Sequence, residues 1–189
     1  MKNLILITFL TLSCTTYGAV LINPSFEESP LGFFETGDDL FGWSVSEGDV
    51  QVLDNFASDG EISVILNAKE NGSICQTIET IPGHVYELTF DMSRAEWVSE
   101  SFTQVDIFID NELIRRVSQD SEEIIWNSYM IPFAANDSST IIRLKNPRSQ
   151  YYTAVDNVIV ETPEPAMLAL LGISFLFLPR KVKNCGKKE

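Results

Sequence analysis

The chain has 189 residues, with 27 acidic against 13 basic side chains and a net charge of −14. That balance repels a phosphate backbone and sets nucleic acid aside as a partner, leaving neutral glycans, cations and basic surfaces. Its length excludes a multidomain array, and its 44% apolar content supports one domain with its own core.

Residues 1–18 read as a signal peptide. Lys2 supplies the positive start, and Leu4–Leu12 is an apolar run too short to span a membrane. Thr16 and Gly18 offer small residues at the −3 and −1 positions, so cleavage is expected after Gly18 or Ala19. Export of this kind runs through the Sec machinery. A lipoprotein reading through Cys14 is weaker, because Thr11 stands where a branched apolar residue is wanted.

The body, residues 19–161, reads as all-β. Strand-like runs recur at Val20–Asn23, Gly42–Ser46, Val50–Leu53, Ile62–Asn67, Ser73–Thr80 and Val85–Met92. They continue at Thr103–Ile109, Leu113–Val117, Ile124–Phe133, Thr140–Lys145 and Ala154–Val160. Tyr86, Leu88, Phe90 and Met92 fall on one face, with Glu87, Thr89 and Asp91 opposite. Asn71-Gly72 is a hairpin signal, and Pro82-Gly83 and Asp110-Asn111 suit tight turns. No amphipathic helix interrupts the pattern, so the expected fold is an antiparallel β-sandwich or jelly roll. Setting aside Lys2 and the tail's Arg180, Lys181, Lys183, Lys187, Lys188, Glu164 and Glu189, the domain keeps 7 basic and 25 acidic residues, a net −18.

Chemistry is sparse in this body. Cys14 and Cys185 lie in the two end segments, which leaves Cys75 alone, with no internal disulfide. Between Ile74 and Gln76 it reads as a buried, inert thiol. The single histidine, His84, follows a Pro-Gly turn. Nucleophile-elbow, zinc-protease and phosphate-loop motifs are missing, so no catalysis is expected.

The C-terminal residues 162–189 have three parts. Pro163-Glu164-Pro165 stops the last strand, an apolar helix follows at about 166–179, and Arg180-Lys181-Val182-Lys183 is basic. The helix satisfies its own backbone groups in lipid, and the cations stay on the cytoplasmic side. Its apolar stretch is short for a span, which snorkelling Arg and Lys side chains offset. This arrangement resembles the PEP-CTERM sorting signal. The resemblance implies recognition by an exosortase in the inner membrane of a Gram-negative bacterium, with delivery to the cell surface or extracellular matrix. Pro179 at the helix end and the extension 184–189 depart from the pattern. A plain membrane anchor or a buried helix is the alternative.

A second resemblance covers the body. Asn23-Pro24-Ser25-Phe26-Glu27 opens it, followed by Gly42-Trp43, Ser58-Asp59-Gly60 and Gly72-Ser73-Ile74-Cys75-Gln76. Ile81-Pro82-Gly83-His84-Val85-Tyr86 comes next, and Ala154-Val155-Asp156-Asn157-Val158 closes it. This order is similar to galactose-binding-like jelly rolls, including carbohydrate-binding modules and the DUF642 and choice-of-anchor C domains. The resemblance implies a five-on-four sandwich with neighbouring chain ends. It also implies a structural Ca²⁺ held by Glu27 and Asp156, with a carbonyl near Ser25 and the Asp59–Glu61 turn completing the site. The alternative is that these carboxylates only bond turns and strand ends.

Polysaccharide binding needs aromatic faces with polar groups beside them. Trp97, Tyr151 and Tyr152 are the aromatic candidates in loop-like stretches, with Gln104 and Arg94 as polar partners. Phe102, Trp126, Tyr129, Gln76 and Asn127 are further candidates, although Trp43 and Trp126 read better as core. The competing function is a structural or adhesive protein that binds other proteins and has no sugar site.

Overall fold

Period-two alternation becomes burial once the strands pair. The computed structural model describes residues 20–67, 70–95, 101–148 and 152–162. Among them are eleven strands and no helix. They are β1 (Gly32–Glu35), β2 (Ser44–Glu47), β3 (Asp49–Asp54), β4 (Ile62–Ile65), β5 (Ser73–Glu79) and β6 (Val85–Arg94). The rest are β7 (Phe102–Ile109), β8 (Glu112–Asp120), β9 (Asn127–Ala134), β10 (Ser139–Lys145) and β11 (Thr153–Glu161). On β6, Tyr86, Leu88, Phe90 and Met92 are buried, while Glu87 and Thr89 on the other face are half-exposed.

All strand pairs are antiparallel and form two sheets, β1-β3-β4-β11-β6-β9 and β2-β5-β10-β7-β8. Each sheet carries one apolar face, and the two faces cover each other. Trp43 anchors the core between them. It is fully buried, its Nε1–H donates to Asn23 O at 3.0 Å, and its ring lies 5.5 Å from that of Phe26. The sandwich is six strands on five, not five on four. The difference lies partly at the sheet edges, where four-residue β1 and β2 each border a different sheet.

Three local expectations are corrected. Val20–Asn23 is not a strand: Gln76 pairs with Ile22 through its side-chain amide, accepting from Ile22 N–H at 2.6 Å and donating to Ile22 O at 2.9 Å. Asn23 then enters the left-handed region, φ 52°, ahead of Pro24. The strand foreseen from Ile124 starts at Asn127, because Ile124 and Ile125 are exposed and Ile125 O is held by Gln119. Cys75 is half-exposed, not buried.

Asn71-Gly72 does not turn a hairpin, since β4 and β5 belong to different sheets. Gly72 is required for close packing: a Cβ there overlaps the carbonyl oxygen of Asp49 and meets Leu66 O at 2.8 Å. Gly72→Ala is expected to destabilise the domain by about 2 kcal/mol, read as a lower urea midpoint. The other two turns form as read. His84 N–H donates to Ile81 O at 3.0 Å around Pro82-Gly83, and Asp110-Asn111 joins β7 to β8 with φ 50° and 69°.

The chain ends of the domain meet where Val158 N–H donates to Pro24 O at 2.9 Å. No helix among the described residues is long and apolar enough to cross a membrane. The expected signal peptide, Pro163-Glu164-Pro165, the sorting helix and Arg180-Lys181 lie outside the described residues.

Candidate functional site

Two buried carboxylates organise the outer face of the six-stranded sheet. Loop 55–61 folds back over this face, and Phe56 packs with Ile65, Ala95 and Ala154. Asp156 on β11 is fully buried. Its Oδ2 accepts from Ser58 N–H at 2.8 Å, Asp59 N–H at 2.9 Å and Ser58 Oγ at 3.1 Å, and Oδ1 accepts from Asn157 N–H at 2.6 Å. A shift of register between Asp156 and Ile159, with Asn157 at φ 49°, marks a bulge in β11 at this point. Burial pushes the Asp156 carboxyl up, and these hydrogen bonds pull against it without cancelling it.

Glu27 grips the other end of the same turn. Its Oε1 accepts from Glu61 N–H at 2.9 Å and Ile62 N–H at 2.8 Å. The two acids foreseen as cation ligands therefore both face backbone N–H groups. Asp59 gives the site its N–H while its side chain is exposed. Asp91 is a second buried acid, not foreseen from sequence. It accepts from Ser128 Oγ, from Ser58 Oγ at 2.8 Å and from Asn157 Nδ2 at 3.2 Å. Ser58 has one hydroxyl hydrogen for two carboxylates. Among the described residues, no group of three or more His, Cys, Asp or Glu gathers to hold a metal ion.

Sugar-contact candidates meet at one end of the sandwich. Arg94 pairs with Thr153 across β6 and β11, and Ala95 N–H donates to Tyr152 O at 2.8 Å. Gln104 N–H donates to Thr153 Oγ1 at 3.4 Å, which links β7 to the same point. Arg94 also donates to Glu122 O at 2.7 Å, steadying the β8–β9 loop. Tyr152 and Trp126 are half-buried, and both pack on the cluster under Phe56. Trp126, expected as core, is thus partly open, with its ring 5.3 Å from that of Phe56. Trp97 and Tyr151 lie outside the described residues.

Other candidates are structural. Gln76 is buried against Ile22, and Tyr129 packs on Phe90 at 5.8 Å. His84 sits in an exposed turn. On the five-stranded sheet, Arg143 lies 4.7 Å over Phe108 and reaches Glu47 and Asn111. Lys145 joins Glu47, and Arg116 joins Asp106. A cavity of about 340 Å³ lined by Glu35, Thr36, Gly48, Asp49 and Glu70 holds none of the foreseen residues. The most exposed aromatics among the described residues are Phe33 and Phe41, at 61% and 50%. Neither was singled out from sequence, because alternation marks what is buried, not which ring the surface presents.

Known folds of this shape include a xylan-binding domain of carbohydrate-binding module family 22. It matches with a TM-score of 0.53 and 12% identity, over 79% of this chain and 96% of that one. A family 35 carbohydrate-binding module from an environmental isolate matches at 0.51 and 14%, over 71% and 90%. An arabinose-bound α-L-arabinofuranosidase matches at 0.51 and 13%, over 78% of this chain but 27% of its own. At such identities the likeness establishes the fold alone. Among curated proteins, none matches the sequence. The profile of DUF642, a protein family of unknown function, matches residues 19–161. The six-on-five jelly roll with its clasped chain ends is therefore that of a member of the DUF642 family, to which this chain belongs.

Proposed function

We propose that this is an exported, non-catalytic protein whose jelly roll binds polysaccharide at the cell surface or in the extracellular matrix. One observation carries the reading. Half-buried Tyr152 and Trp126 pack on one cluster around Phe56 at the outer face, while Arg94 and the main chain of Gln104 meet at neighbouring Thr153. Two partly open aromatic rings held on one surface are the chemistry that stacks on a sugar ring. Trp97 and Tyr151 complete the proposed set. The shared fold with carbohydrate-binding modules supports the reading.

The route to the surface is the second part of the proposal. The signal peptide hands the chain to the Sec machinery, and an exosortase reads Pro163-Glu164-Pro165 with the helix and Arg180-Lys181 behind it. Calcium is not needed by this reading. Glu27 and Asp156 receive backbone N–H groups, which suit an anion, whereas a calcium site turns carbonyl oxygens inward.

Binding of the detergent-solubilised full chain to a polysaccharide panel tests the function. Tyr152→Ala is expected to weaken binding to the best glycan about tenfold, with folding retained by circular dichroism. A folded wild-type chain that binds no glycan favours the structural or protein-binding role instead.

A further inference from the structure

The hairpin leading into β2 carries an unusual turn. Leu40 N–H donates to Trp43 O at 2.6 Å and closes a two-residue loop, Phe41-Gly42. Their φ angles are 59° and 94°. Two consecutive positive φ values make a type I′ turn, whose first position belongs to Asn, Asp or Gly. A bulky aromatic in the left-handed region is a strained choice. Half of Phe41 is exposed, so core burial does not account for it.

Its neighbours hold the strained turn firmly. Asp39 Oδ1 accepts from Phe41 N–H at 2.6 Å and from Gly42 N–H at 3.2 Å. Asn23 Nδ2 donates to Leu40 O and Phe41 O, each at 3.3 Å. Ile22 fills the other side: a Cβ on Gly42 would stand 2.6 Å from its Cγ2. Asp39 Oδ2 has no hydrogen-bond partner among the described residues. An exposed ring therefore sits on a firmly held turn, two residues after an open carboxylate oxygen.

We propose that Phe41 is a sugar-stacking residue, its ring taking the apolar face of a neutral pyranose while Asp39 accepts a hydroxyl. The inference rests on the polysaccharide reading and adds a contact outside the Arg94–Gln104–Tyr152 set. The occupant is a neutral sugar because exposed Asp38 and Asp39 stand three and two residues before Phe41 on a domain of net charge −18. That field repels uronates, phosphates and anionic lipid headgroups. The contact is separate from the first: β2 runs from Ser44 opposite Cys75 to Glu47 opposite Ser73. The turn before Ser44 therefore points along β5 away from the Ser73 end, and Gln104 lies beyond that end.

Phe41→Asn tests this in the full chain, with soluble xylan, galactan and mixed-linkage glucan as probes. Affinity for the best probe is expected to fall about tenfold. The melting temperature is expected to rise by about 2–4 °C, because Asn suits the turn. Phe41→Trp is expected to keep the affinity. Unchanged affinity in Phe41→Asn, with Tyr152→Ala weakened, overturns the Phe41 contact and leaves the polysaccharide reading standing. A wild-type chain that binds no glycan overturns both. Equal loss in Phe41→Trp and Phe41→Asn overturns stacking, and a lower melting temperature in Phe41→Asn overturns the strain account.

Discussion

Trp43→Ala is expected to lose about 4 kcal/mol of stability, the largest effect of any single substitution considered. The side chain is fully buried between the sheets. Removing it leaves a cavity that neighbours bound into ladders cannot close. It also strips Asn23 O of its Nε1–H donor and Phe26 of its ring partner. Domains of this size hold about 5–15 kcal/mol in all, so the variant unfolds easily at 37 °C. Urea titration followed by circular dichroism should show a lower midpoint with an unchanged slope. Trp43→Phe separates the two causes: it keeps a ring, loses the N–H, and should lose about 1–2 kcal/mol. A loss under about 1 kcal/mol for Trp43→Ala would mean that Trp43 is not the anchor of this core.

Asp156→Asn comes next, with an expected loss of about 3 kcal/mol at neutral pH. Ser58 N–H, Ser58 Oγ, Asp59 N–H and Asn157 N–H all point at the carboxylate. An amide replaces one acceptor oxygen with an NH₂ group, so donors face a donor. Loop 55–61 would then lift, and Phe56 with it, exposing the small cluster that Tyr152 and Trp126 lean on. Under the proposed function, a loss of glycan affinity is expected with it. Melting curves in calcium and in chelator should coincide for the wild-type chain. A calcium-dependent rise that vanishes in Asp156→Asn would overturn the proposal that the clasp needs no calcium.

The same residue has a pH signature. Burial holds its folded pKa above the unfolded value of 3.8. The folded state then binds more protons in that window, so this group's contribution to stability falls as pH rises through it. Below the window the contribution is fully present, and above it the curve is flat. Twenty-five acids make the whole-domain curve hard to read. The difference between wild type and Asp156→Asn isolates the term. It should be greatest below the window, and a difference that grows with rising pH would reverse the assignment.

Much of the fold is legible in the sequence for a local reason. Tyr86-x-Leu88-x-Phe90-x-Met92 encodes its own buried face, because a strand shows alternate side chains to opposite sides. Pro82-Gly83 and Asp110-Asn111 encode their turns through φ alone. Gly72 shows where such reading stops. Next to Asn71 it signals a hairpin, yet it serves a close approach to Asp49 and Leu66 that no neighbouring residue reveals. Val20–Asn23 has strand composition, but Gln76, more than fifty positions away, takes its hydrogen bonds. β1 is four residues after a proline, too short for alternation to stand out.

The candidate site divides the same way. Sequence picked Arg94, Gln104 and Tyr152 by chemical type, and the pairing of β6 with β11 and the reach of β7 to Thr153 bring their main chains near one another. Asp91 and Phe41 were hidden, one in a polar stripe and one before a glycine. Sequence by itself determined the all-β class, the acidic balance and most strands. These follow from composition and period-two patterning, which are local properties. Tertiary structure alone decided that Glu27 and Asp156 clasp one turn with their carboxylates, and that Phe41 stands open in a strained turn. Those facts depend on which distant backbone donors and side chains arrive at a residue, and the packing of two sheets settles that arrival.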